Sequence, residues 1–213
     1  VFDALAAHHD VFAVDLPGFG ASPPAPRADI VGLTDTIAEW MAARGARRFV
    51  LMGRSEPAAS AREHIGRIEA LGAAVAIVRG DVSRPADVDR AVAVATPLRG
   101  IIHAAGALDD GVVLQQSWDR FRHVFAAKVF GAWNLHAATR ELPLECFVLF
   151  SSTAALVGSA GQSNHSAANA FLDALAFARR RDGLAALTIN WGPWSDIGAA
   201  TSARAIVERI RQQ

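Results

Sequence analysis

Apolar runs of strand length alternate with stretches of helical period along most of this chain. The runs predict strands at Val11–Leu16, Arg48–Gly53, Ala73–Val78, Gly100–Ala104, Glu145–Ser151 and Ala185–Asn190. Between them the 3.6-residue period predicts helices near 33–44, 58–71, 86–95, 117–140 and 161–180. Strands that alternate with helices imply βαβ units, hence a parallel sheet covered by helices on both faces. The expected class is a doubly wound, Rossmann-like α/β sheet with right-handed crossovers. No internal repeat is visible. Ala21-Ser-Pro-Pro-Ala-Pro26 is a low-complexity patch that reads as a loop.

One helical stripe has an unusual member. Phe121, Val124, Phe125, Ala132 and Leu135 recur at helical spacing and mark a buried face. Lys128 lies on that face. Lysine and arginine together number 21, and Lys128 is the only lysine. A chain that otherwise uses arginine for its cations has a compact ammonium at this one place. An unpaired buried charge is costly. The expectation is therefore an ammonium directed into a site, and the alternative is a lysine at the stripe's edge with its amine in solvent.

Composition narrows the classes. A chain of 213 residues suffices for one domain with a sizeable core. The formal net charge is zero and there is no basic block, which argues against a nucleic-acid partner. No apolar run reaches membrane-spanning length and no signal peptide opens the chain, so a cytoplasmic protein is expected. The lone Cys146 has no disulfide partner in the chain and reads as a buried strand residue. No pattern of metal ligands is seen.

Several motifs stand in a fixed order: Leu51-Met-Gly-Arg-Ser55, Gly80-Asp-Val82, His103-Ala-Ala-Gly106, Ala127-Lys-Val129, Ser151-Ser-Thr153, His165 with Asn169, and Asn190-Trp-Gly-Pro-Trp194. This series, from about Gly45 to Ala200, resembles the ketoreductase domains of modular polyketide synthases, a branch of the short-chain dehydrogenase/reductases. The resemblance implies NADPH-dependent reduction of a β-ketoacyl group carried by an acyl carrier protein. It implies that Arg54 and Ser55 hold the cofactor's 2′-phosphate, where a guanidinium is well suited. Asp81 and Val82 would read the adenine. His103, Ala104, Ala105 and Gly106 would bring the backbone close to the cofactor ribose. Gly192 and Pro193 would lie in the loop that closes over the nicotinamide. The implied catalytic residues are Lys128, Ser152, His165 and Asn169, with Lys128 also touching cofactor. Leu108-Asp-Asp110, directly after His103-Ala-Ala-Gly106, resembles the motif of the ketoreductases that deliver a D-configured hydroxyl; the alternative is an ordinary turn.

The sequence departs from the family in two places. A catalytic tyrosine should stand thirteen residues after Ser152. His165 stands there, and the chain contains no tyrosine. Reduced activity is expected, and a non-catalytic domain that keeps the fold is the alternative. The second departure is the missing Thr-Gly-Gly-x-Gly-x-x-Gly loop, whose amides cradle the pyrophosphate. In its place His8-His-Asp-Val-Phe-Ala-Val14 and Asp15-Leu-Pro-Gly-Phe-Gly-Ala-Ser22 resemble an α/β-hydrolase. Residues 1–44 are expected to be a hydrolase-like strand–loop–helix joined to a reductase-like domain at 45–213, together one folded unit truncated at both ends. Gly53-Arg-Ser-Glu-Pro57 is close to the hydrolase elbow Gly-x-Ser-x-Gly, which keeps a hydrolase as a further alternative.

Overall fold

A computed structural model describes residues 45–57 and 59–192, together with Ala38 and residues 41–43. The strands expected at Val11–Leu16 and the hydrolase-like stretch lie outside the described residues, as does Pro193. Five parallel strands are described: β1 (Arg48–Gly53), β2 (Ala74–Arg79), β3 (Gly100–His103), β4 (Cys146–Ser152) and β5 (Leu187–Trp191). They form two ladders, β1–β2 and β3–β4–β5. Between them run α1 (Ala59–Ala70), α2 (Pro85–Ala95), α3 (Trp118–Phe125), α4 (Gly131–Thr139), the short α5 (Ala154–Val157) and α6 (Ser163–Arg181).

The local signals account for these boundaries. Pro85 opens α2, where its missing N–H costs nothing. Ser117 caps α3 by accepting from the Arg120 amide. At the end of α6, Gly183 takes φ +78°. Its amide bonds Arg180 O and the Leu184 amide bonds Arg179 O, which closes the last turn. The run Arg179–Arg181 adds positive charge where the helix dipole is negative.

The core sits under the second ladder. Phe147 and Leu149 of β4 are fully buried against Ala132 of α4 and Leu172, Leu175 and Ala176 of α6. A smaller cluster of Ala42, Ile68 and Ala73 lies beside β1 and β2. The ladders are tied at their carboxyl ends, where Asn134 of α4 donates to the carbonyl of Val82, 3.0 Å away. Cys146 is half-buried at the start of β4 rather than deep within it.

The expected helix at 117–140 is divided. Ala126–Phe130 forms a π turn between α3 and α4, and Lys128 is on it. Asn190 and Trp191, read also as part of a closing loop, belong to β5.

Candidate active site

The site is built on the carboxyl end of β4. Strand β5 pairs with it through Ser152, and β3 pairs with β4 as far as Leu149. Ser151 points inward and donates its hydroxyl to the main-chain carbonyl of Asn169, 3.2 Å away. Ser152 is half-buried. Its Oγ accepts from the Ala154 amide at 3.2 Å, which leaves the hydroxyl proton to be donated elsewhere.

Lys128 is buried, with 7% of its surface exposed. The alternative of a solvent-held amine is therefore excluded. Its Nζ donates to the carbonyl of Phe150 at 2.8 Å, two residues before Ser152. The carbonyl of Ala127, on the same π turn, accepts from Nε2 of the buried His103 at 3.1 Å. That bond assigns the proton to Nε2 of His103. Burial lowers the Lys128 amine to about 8, partly opposed by the negative charge of Asp173. His103 is held down to about 4, first by burial and then by the Lys128 charge.

Helix α6 contributes the other wall. His165, Asn169 and Asp173 follow at four-residue spacing on one face. Asn164, fully buried, accepts the His165 amide at 2.7 Å and donates to the Asp109 carbonyl at 2.8 Å. Asn169, also fully buried, donates to the His165 carbonyl at 2.8 Å. The His165 Nδ1 and the Asn169 Oδ1 are buried without a hydrogen-bond partner among the described residues. His165 is lowered to about 4, first by burial and second by Lys128. Desolvation is the larger of the two causes. The Lys128 charge is the second cause of the lowered values of both His103 and His165.

The residues expected to hold a cofactor stand at the carboxyl ends of their strands. Arg54 and Ser55 follow β1 and are exposed. Asp81 and Val82 follow β2. The Asp81 carboxylate accepts from the Ser83 amide and hydroxyl, which lowers its pKa. His103-Ala-Ala-Gly106 ends β3. A Cβ added at Gly106 would lie 3.3 Å from Cε of Lys128, so the backbone there passes tightly over the lysine stem. Gly192 follows β5 directly. In doubly wound sheets ligands bind at this edge. An exposed guanidinium and a turn of small residues suit a phosphorylated nucleotide. Ser55 lacks the hydrolase context: among the described residues no histidine bonds its hydroxyl, and α1 begins only at Ala59.

The Leu108–Asp110 turn is pinned to the start of α6. Gln162 Nε2 donates to both Asp110 carboxylate oxygens at 3.1 Å, and the Gly111 amide bonds the Gly161 carbonyl. Arg120 pairs with Asp109 at 3.4 Å and bonds the Asp110 carbonyl.

The family model described as "KR domain" matches residues 30–196. The chain belongs to the polyketide synthase ketoreductase family. It is 45% identical over 183 residues to phthioceranic/hydroxyphthioceranic acid synthase of Mycobacterium tuberculosis, covering 82% of this chain and 9% of that protein. It is 45% identical over 177 residues to mycoketide-CoA synthase of the same organism, covering 81% of this chain and 4% of that protein. This ketoreductase chain therefore spans less than a tenth of these relatives. Among solved structures, A-type ketoreductases from a modular polyketide synthase align with TM-score 0.75 and 33% identity, covering 93% of this chain and 43% of theirs. The first ketoreductase of the tylosin synthase aligns with TM-score 0.72 and 36% identity, covering 85% and 43%. The doubly wound fold expected from the sequence is the fold of these neighbours. Ketoreductases of this superfamily bind NAD(P)H. Among the described residues no helix is long and apolar enough to cross a membrane, and no metal-binding cluster of His, Cys, Asp or Glu occurs.

Proposed function

We propose that this chain is an NADPH-dependent β-ketoacyl reductase domain, acting in the cytoplasm on an acyl carrier protein, whose activity is impaired by His165. The observation that carries this reading is the half-buried His165 on α6, in the place of the family's tyrosine, with its pKa lowered to about 4 first by burial and then by the Lys128 charge. Arg54 and Ser55 would hold a 2′-phosphate, Asp81 and Val82 the adenine, residues 103–106 and Lys128 the ribose, and Gly192 and Pro193 the nicotinamide side. When bound, NADPH supplies the hydride for the carbonyl carbon.

This chain's residues must then serve the oxygen. Ser152 donates a hydrogen bond to the substrate carbonyl and holds it in line. The oxygen needs a proton as charge develops on it. With a pKa of about 4, roughly one His165 ring in a thousand carries that proton at neutral pH. The imidazole is also shorter than a phenol, and about 1 Å of misplacement costs roughly a hundredfold. Asn169 fixes the helix backbone at His165. Lys128 supplies positive charge to the site, as in a working reductase, but here it pushes the donor further toward its neutral form.

The same observation favours a second reading, a ketoreductase-like domain with no turnover. Oxidation of NADPH in the presence of a model β-ketone such as decalone separates the two. Slow, ketone-dependent oxidation that is lost in Ser152→Ala supports the impaired reductase. Rates equal to those without protein favour the non-catalytic domain.

A further inference from the structure

The carboxyl ends of β1 and β2 carry positive charge that the side chains around them leave unpaired. In the parallel register Arg79, the last residue of β2, stands opposite Gly53, the last residue of β1. The two ends are tied together. The Gly80 amide bonds the Gly53 carbonyl at 2.9 Å, and Nε of Arg79 donates to the main-chain carbonyl of Arg54 at 3.4 Å. Arg79 thus lies against the backbone of Arg54, and both arginines are exposed.

The carboxylates at this edge are already engaged. Glu56 pairs with Arg62 at 3.3 Å. Asp81 accepts from the amide and hydroxyl of Ser83. Asp87 pairs with Arg90 at 2.9 Å and accepts the Asp81 amide at 2.8 Å. Arg90 is committed too, because its other terminal nitrogen donates to the Arg79 carbonyl at 2.7 Å. Arg54 and Arg79 have no carboxylate partner among the described residues, whereas other exposed arginines such as Arg99 and Arg181 pair with Glu145 and Asp182. With Nε held by the Arg54 carbonyl, the terminal nitrogens of Arg79 remain for a ligand. Like charges gathered at one strand edge repel until an anion joins them. A phosphate monoester supplies that charge, with acceptor oxygens for more than one guanidinium.

We infer that Arg79 is a second phosphate-binding guanidinium, which joins Arg54 on the 2′-phosphate of the cofactor and adds to the preference for NADPH over NADH. The inference rests on the cofactor site of the proposed reductase and extends that site to β2. Its test needs no turnover, so an inactive domain leaves it standing.

The probes are adenosine 2′,5′-bisphosphate and adenosine 5′-monophosphate, which differ only in the 2′-phosphate, each titrated into the protein. The unaltered chain is expected to bind the bisphosphate more tightly. Arg79→Met keeps the aliphatic stem and removes the charge. It is expected to weaken the bisphosphate about tenfold and to leave the 5′-monophosphate unchanged. Arg79→Lys is expected to recover part of the loss, since an ammonium keeps the charge without the fork. Arg84→Met removes another exposed charge from the same edge and is expected to leave the bisphosphate affinity in place. A preference that survives in Arg79→Met but is lost in Arg54→Met overturns the role of Arg79 and leaves the cofactor site standing. An equal loss in Arg84→Met also overturns it, because attraction by net charge then suffices. No preference in the unaltered chain removes the 2′-phosphate site and this role with it.

Discussion

The side-chain amide of Asn169 donates to the main-chain carbonyl of His165, 2.8 Å away and one turn back along α6. On the other side of His165, Asn164 accepts its amide at 2.7 Å. The backbone at position 165 is thus fixed by two buried asparagines, independently of the ring attached to it. The ring itself makes no such bond through Nδ1 among the described residues. A tyrosine placed there would inherit the backbone position and the Lys128 field without rebuilding the helix.

The close packing beneath Lys128 predicts an intolerant glycine. A Cβ at Gly131 would sit 2.7 Å from Cγ1 of Val82 and 3.4 Å from Cε1 of His103. Overpacking of this kind costs about 1–3 kcal/mol, against about 1 kcal/mol gained from alanine's helix propensity. Gly131→Ala is expected to lower the midpoint of urea unfolding. An equal or higher midpoint would show that Val82 moves aside freely.

Acid should destabilise the domain early. His103 and His165 have ordinary values of 6.5 and folded values of about 4. The unfolded chain takes up these protons first, so stability is complete above 6.5 and is lost as pH falls toward 4. His136, also lowered by burial, adds in the same direction. Unfolding midpoints measured across this window should fall steadily. Replacing His165 with glutamine should remove about one proton from the slope.

Much of this was legible in the sequence. Apolar runs of strand length located each described strand within about two residues. The position of Lys128 on an apolar stripe signalled an inward ammonium, and it is buried. The π turn was not legible. A widened turn shifts the phase of the stripe by about one residue, which ordinary helical spacing tolerates. The Asp173–Asn190 pair was hidden for another reason. It joins α6 to β5 across 17 positions, and no local pattern shows which strand end meets which helix face. The short helix Ala154–Val157 was also missed, because four residues carry too little periodicity to register.

Cofactor binding should be weak and selective. The sequence carries no Thr-Gly-Gly-x-Gly-x-x-Gly motif to supply amides for a pyrophosphate, and on the proposed reading Arg54 and Ser55 would hold only the 2′-phosphate end. By titration, the NADPH dissociation constant is expected above the micromolar range, with NADH weaker still. Arg54→Ala should bring the two cofactors closer together. Micromolar or tighter NADPH binding, or equal affinity for both cofactors in the unaltered chain, would count against this.

The most direct measurement is turnover of a model β-ketone by the unaltered chain and by His165→Tyr, both at saturating NADPH. Of the four proposed catalytic positions, Ser152, Lys128 and Asn169 match the family's residues and only that of the proton donor differs. A phenol beside the Lys128 ammonium regains both reach and an acid of useful strength. The expected gain is about 10² to 10⁴ in rate, the usual worth of a general acid. A His165→Tyr protein that binds NADPH yet reduces the ketone no faster would contradict the account and move the defect away from position 165.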